Sequence, residues 1–266
     1  MLHVNAPRQT GEQDAILLLK DHLKGLRVNR VTPTTVARGI GSRLLAASPH
    51  LTIANIEHVS TGDLWLLFDG YDHTFFAGLL SRALAPAPRE RLHLRLSTRM
   101  TSAAGKLVHH RLADPARFEI AVSSHLLFSN FASGTSPVSV NGLPCHTRLD
   151  ALQRIFEHEL VHLVEVLTTG RTSCRAAPFR GLARTLFGHI EVTHRLPTPR
   201  QKAWQEQLVR PGTAVCFRFQ GRRLEGFVNR ITKRATVLVP DPKGRRYSDG
   251  GRYAKFYIPV EALERR

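Results

Sequence analysis

The sequence is poor in several residue types. Three cysteines in 266 residues (Cys145, Cys174 and Cys216) are too few for a disulfide framework, and no Cys-x-x-Cys pair exists to build a zinc ribbon. The longest apolar stretches, such as 15–19 and 64–68, fall far short of the ~20 residues that span a bilayer. The opening MLHVNAPRQTGEQD has neither a basic n-region nor an apolar h-region, so no secretory signal is read there. Free thiols without an export signal lead us to expect a cytoplasmic protein. Acidic side chains are scarce as well, with 21 Asp and Glu against 38 Lys and Arg, a formal charge of +17. Lysine is rare within that surplus, since 31 of the 38 are Arg. Arginine suits planar phosphate and carboxylate groups. An Arg-biased genome yields the same count, so charge alone leaves a polyanion partner open. A hydrophobic fraction of 42% excludes a disordered basic tail.

The length suits one large domain or two small ones, with a core that needs no staple. Helical periodicity appears at 12–26 and more weakly at 34–47. Residues 63–84 read as a helix broken near Gly70. RLHLRLSTR at 91–99 alternates like a half-buried strand; 107–111 is its expected partner and 118–123 a third strand. The strongest helix is 148–167, free of Gly and Pro and preceded by Thr147 as a candidate N-cap. A further helix at 178–186 closes at Gly188, and Pro197 and Pro199 mark a linker. From Thr213 onward, short strands rich in Val, Phe, Thr and Tyr alternate with Gly turns, which predicts a small SH3-like or OB-like barrel. The expected organisation is α+β, in three parts: a helical region at 1–50, a domain at 51–196 and a basic β-barrel at 197–266.

Chemistry concentrates in His158-Glu159-Leu160-Val161-His162, an H-E-x-x-H pattern on the strongest helix. Residues i and i+4 share a helix face, so the two imidazoles can grip one Zn²⁺, with Glu159 over the ion's open position as general base. Phe156, Leu160, Val161, Leu163 and Val164 surround the pattern, and unpartnered polar groups on so apolar a helix would be costly.

Three blocks extend the pattern. They are YDHTFFAGLL (71–80), LRLSTRMTSAAGKLV with FEIAVSSHLL (94–108 and 118–127), and HELVHLVEVL (158–167). Together the stretch resembles the SprT-like family of zincin metalloproteases. The resemblance implies an α+β minidomain with a small, mainly antiparallel sheet, one Zn²⁺ on three protein ligands, and peptide-bond hydrolysis by a zinc-activated water. His158 and His162 carry over as ligands and Glu159 as the catalytic base. The family's third ligand is a His in an H-G-x-x-F box, but with Phe179 aligned to the box Phe that position here is Arg175. Four substitutes remain: His189, Cys174, His194 and Glu165. If 178–187 folds back antiparallel on the active helix, His189 comes level with the zinc end and Cys174 is left at the far end, unless the loop climbs back. The expected metal set is therefore His158, His162 and His189. Glu165 also suits a carboxylate that orients an imidazole.

From Arg200 onward there are 16 Lys and Arg against six Asp and Glu. Phe217, Phe219, Phe227, Tyr247, Tyr253, Phe256 and Tyr257 interleave with the charges. Such a module binds DNA or RNA by charge and base stacking, or binds protein, or packs its aromatics as core. Two classes of function follow. One is a zinc metallopeptidase acting on proteins, including nucleic-acid-associated ones, with no membrane partner. The other is a nucleic-acid-binding protein whose zinc site is structural or degenerate.

Overall fold

The computed structural model describes residues 6–26, 32–131, 138–193 and 196–266. The chain forms two compact units, Met1–Leu196 and Pro197–Arg266. In the first, α1 (Ala6–Gly25), α2 (Pro33–Ala47), α3 (Thr61–Phe76), α4 (Leu79–Ala83) and α5 (Pro88–Arg91) precede β1 (Leu92–Ser97), β2 (Gly105–His110) and β3 (Arg117–Ser123). Then come α6 (Ser124–Phe128), β4 (Val138–Val140), β5 (Leu143–Cys145), α7 (Arg148–Thr169) and α8 (Ala177–Phe187). The second unit holds α9 (Pro199–Gln207), β6 (Ala214–Phe219), β7 (Arg222–Ile231), β8 (Ala235–Arg246), β9 (Arg252–Ile258) and β10 (Glu264–Arg265). The architecture is mixed α+β. Among the described residues no helix is long and apolar enough to cross a membrane.

Helix α7 runs through the centre of the first unit. A capping box starts it: Thr147 Oγ1 accepts from the Asp150 N–H, and the Asp150 carboxylate accepts from the Thr147 N–H. Gly170, at φ +74°, ends it. Between these caps its apolar side chains are buried on almost every face, so packing rather than propensity stabilises it. Ala15, Leu19, Ile40 and Leu44 of α1 and α2 join the same core, so this unit does not divide at residue 50.

Two local expectations are corrected here. Helix α3 passes through Gly70 unbroken. A Cβ there would lie 3.0 Å from Ile40 Cγ2, so the glycine serves close approach to α2. The break falls at Ala77 and Gly78, both at positive φ. The sheet is also not a simple antiparallel run: its order is β1-β3-β2, with β1 parallel and β2 antiparallel to β3. The most apolar strand takes the centre, since Phe118, Ile120, Ala121 and Val122 of β3 are all buried, while β2, bearing Lys106 and His110, takes the edge.

In the second unit the expected linker at Pro197 and Pro199 is instead the start of a helix. Pro199 occupies the first turn of α9, where its missing N–H costs nothing, and Thr198 with Gln201 forms a capping box. The β-strands form one antiparallel sheet ordered β10-β6-β7-β8-β9. The two end strands do not pair with each other among the described residues, so the sheet is open and the expected closed barrel is not formed. β10 is only two residues long, which leaves too short an edge to close against β9. Val215, Phe217, Val228, Val237 and Ile258 make its core.

Candidate metal centre

One turn of α7 separates His158 from His162, and their ring centroids lie 4.9 Å apart. Phe179 of α8 packs against both imidazoles, at 4.9 and 4.4 Å. The third member is Cys174, in the loop between α7 and α8. One ligand atom from each of His158, His162 and Cys174 lies within 4.8 Å of the other two. Two imidazole nitrogens and a sulfur form a borderline-soft donor set that suits zinc.

That loop climbs back over the last turns of α7 through Thr172. Thr172 Oγ1 donates to Glu165 Oε2 at 2.6 Å, which leaves its oxygen to accept from His162 Nδ1–H, also at 2.6 Å. With its Nδ1 carrying the proton, His162 keeps its Nε2 lone pair free, the atom that could ligate a metal. Burial pushes the His162 imidazole down to about 4, so it is neutral at pH 7. Glu165, weighed as a ligand, thus orients one through Thr172. Thr172→Val is expected to weaken any divalent-metal affinity of this cluster by ~10–100-fold, measured by competition with a chelating dye.

Glu159 lies between the two histidines and is 4% exposed. Burial pushes its carboxyl up to about 8, against a smaller opposite pull from the Leu107 N–H, which its carboxylate accepts. Its Oε2 is buried without a hydrogen-bond partner, an orphan acceptor on the residue that follows His158. The close approach of helix and strand depends on Gly105, because a Cβ there would run into the Glu159 carboxylate. Gly105→Val is expected to displace the Glu159 carboxylate and part strand β2 from α7, read as a lowered melting temperature in thermal melts.

The first-choice third ligand, His189, is not in this group. Its Nε2 lies 2.9 Å from Glu157 Oε2, in a network buried on another face of α7. Arg154 Nη1 donates to both Glu157 oxygens at 2.7 Å, Tyr71 OH donates to Oε1 at 2.6 Å, and Gln153 Nε2 donates to Tyr71 OH and to the Ala37 carbonyl. An antiparallel α7–α8 hairpin sets the level of His189 along α7 but not the face it meets. Glu157 and His158 are neighbours about 100° apart around the helix, and the Gly188 turn delivers His189 to the Glu157 side. Burial alone would push Glu157 up; Arg154, His189 and Tyr71 outweigh it and hold the carboxyl below its ordinary range. The network escaped the sequence reading, although Arg154 and Glu157, spaced i, i+3 on so apolar a helix, were its visible signal. His194, the remaining alternative, lies outside the described residues.

No protein-family model matches this sequence, and no curated protein matches it.

Proposed function

We propose that the chain is a zinc-dependent, SprT-like metalloendopeptidase in which His158, His162 and Cys174 hold the ion and Glu159 is the general base. The observation that carries this reading is the buried, half-partnered Glu159 carboxylate one residue along α7 from His158, whose ligand atom groups with those of His162 and Cys174. A zinc ion bound there would supply a Lewis acid and an acidified water at its open position. Glu159 Oε2 is the atom placed to take a proton from a nucleophile and return it to a leaving amine. The carboxylate is held in place by the Leu107 N–H and by the close approach of Gly105. Thr172 keeps His162 in one tautomer. A zincin-like minidomain is consistent with the HExxH helix lying against the edge strand of a small sheet. Leu107 donates to Glu159 from the edge of β2 that faces away from β3, so a peptide paired along that edge would pass the donor cluster.

Metal analysis of the purified chain tests the reading directly. We expect about one zinc per chain, lost in Cys174→Ala and retained in Cys174→His, together with chelator-sensitive cleavage of an unstructured protein such as casein. A metal-free protein, or full zinc occupancy in Cys174→Ala, would remove the proposed site.

A second reading concerns the Pro197–Arg266 unit, where an observation favours nucleic-acid binding. Arg218 of β6 lies directly opposite Arg223 of β7, a like-charge pair that costs stability in isolation. Strand alternation places these arginines on one sheet face with Phe227, Tyr253, Lys255 and Tyr257, and Tyr257 is 57% exposed. Lys255 and the exposed Tyr257 follow each other on this face of β9, and a cation beside an exposed ring suits the phosphates and bases of a single strand. Were zinc present without peptidase activity, this unit would make the chain a nucleic-acid-binding protein with a structural zinc site. Salt-sensitive binding of a single-stranded oligonucleotide, weakened ~5–100-fold by Tyr257→Ala, is the expected result in anisotropy titrations.

A further inference from the structure

We propose that the cavity beside α8, between Arg180, Arg184 and His189, binds the phosphoryl group of a small phosphate monoester. It shares no residue with the candidate metal centre and does not rest on the peptidase reading. The cavity measures about 300 Å³, and Arg180, Gly181, Arg184, His189, Ile190 and Glu191 are among its lining residues. That volume lies at the lower end of the range for small-molecule sites, so it suits a compact ligand rather than a polymer. Phe179, Ala183, Leu186 and Phe187 form the buried face of α8, which puts Arg180, Gly181 and Arg184 on its outer side. Arg180 and Arg184 are one turn apart, exposed, and without an acidic partner among the described residues. Gly181 sits between them in the helix interior, where glycine is less stable than alanine. A Cβ there would meet nothing within 4 Å, so packing does not require the glycine, and what it leaves is open space.

The other wall, from His189 onward, is pinned. The Ile190 and Glu191 N–H groups both donate to the Asn141 carbonyl at 3.0 Å, and the Asn141 N–H donates to the Thr193 carbonyl at 2.9 Å. Asn141 Nδ2 in turn donates to the Arg154 carbonyl at 2.7 Å, which ties this wall to α7. The independent pointer to a ligand is His189. It is 3% exposed, it lines the cavity, and its Nδ1 is buried without a hydrogen-bond partner. An ionised carboxylate only accepts, so the 2.9 Å contact with Glu157 puts a proton on Nε2. In the neutral ring Nδ1 is then an acceptor with nothing to accept, a cost that a ligand O–H relieves. Glu191 adds a carboxylate, whose Oε2 accepts from Thr193 Oγ1 at 3.4 Å. Two guanidinium groups beside two acceptors call for an anion that also donates. Sulfate and carboxylate ligands only accept. A phosphate monoester, with a second pKa of about 6, offers P–O⁻ oxygens to the arginine forks and a P–OH to Nδ1. A phosphodiester has no P–OH, which sets a nucleic-acid backbone aside. Ile190 is 76% exposed and offers apolar contact to the carbon part of the ester.

The test is isothermal titration of the full chain with glycerol 3-phosphate, inorganic phosphate and sulfate, at about pH 6.5, where a share of P–OH remains. Glycerol 3-phosphate is expected to bind saturably, in the millimolar range or tighter, and at least ~10-fold more tightly than sulfate, the worth of one charge-assisted hydrogen bond. Inorganic phosphate within a few-fold of the ester shows that the phosphoryl group supplies the affinity. Arg180→Ala with Arg184→Ala should weaken ester binding by at least ~10-fold, and both positions are exposed, so the fold survives. Gly181→Leu should abolish binding without lowering the melting temperature, because leucine favours the helix and fills the open space. Binding must persist in Cys174→Ala, which removes the proposed metal site, and in Arg245→Ala with Arg246→Ala, which removes charge from the second unit. Absence of saturable binding overturns the inference. So does sulfate bound as tightly as the ester, or inorganic phosphate bound more tightly than it. Unchanged affinity in the Arg180/Arg184 or Gly181→Leu chains overturns it as well. Loss of binding in Cys174→Ala would place the anion on a metal, and loss in the Arg245/Arg246 chain would place it on the second unit; either result ends the assignment to this cavity.

Discussion

Glu159→Gln is expected to retain zinc at the wild-type stoichiometry and to lower turnover of an unstructured protein substrate by at least ~100-fold, the usual worth of a positioned general base. Gln keeps the shape of Glu and can still accept from the Leu107 N–H, so the helix–strand contact at Gly105 survives. What it loses is a basic oxygen at the Oε2 position, which in the native chain is buried and unpartnered. The proposed ligands His158, His162 and Cys174 do not include this residue, so metal content should not change. The decisive comparison is zinc per chain against initial rate, measured on the same preparation. A Glu159→Gln chain that holds zinc and cleaves at the wild-type rate would mean that the proton is handled elsewhere. One that loses zinc would place Glu159 among the ligands.

Much of this site was legible because it is local. An i, i+4 pair of histidines with a Glu between them, on a helix without Gly or Pro, specifies its own geometry through helical periodicity. Thr147 and Asp150 announce where the helix starts, and Gly170 and Gly188 where two helices stop, through capping chemistry that needs no tertiary partner. The third donor was not local. Cys174 reaches the histidines because Thr172 ties the loop to Glu165 and His162, and a loop's path is set by such side-chain bonds rather than by pattern. His189 shows the converse: its level along α7 followed from helix rise, but its face depended on a glycine turn of φ +71°. The strand order failed for a related reason. Alternation identifies strands, while the choice of β3 as the central strand depends on how much apolar surface each one buries against α7. Pro199 misled because proline punctuates linkers and helix starts alike, and only the Thr198–Gln201 box separates the two.

The buried network ties α7 to α2, to α3 and to the turn after α8, and it sets the second large effect. Glu157→Leu is expected to destabilise the chain by ~3–5 kcal/mol, because it strands Arg154 as an uncompensated charge that is 4% exposed. For a unit of nearly two hundred residues that corresponds to a fall in melting temperature of roughly 6–20 °C. Most of the cost belongs to the orphaned cation rather than to the lost pair. Arg154→Met combined with Glu157→Leu should therefore recover much of the stability, since apolar replacement of a whole buried pair is often neutral. The pH dependence has a definite sign. Folding holds the Glu157 carboxyl below its ordinary range, so its contribution is complete above the unfolded carboxylate value and is lost as pH falls through the lowered folded one. Acid should thus narrow the gap between the native chain and Glu157→Gln, which cannot gain that linkage. Thermal melts of the four chains from neutral pH into the acid range measure all of this. Wild-type stability in Glu157→Leu, or a double variant no better than the single, would show that Arg154 is not held in the core by this carboxylate. The network would then not be what fixes α7 against α3 and the turn after α8.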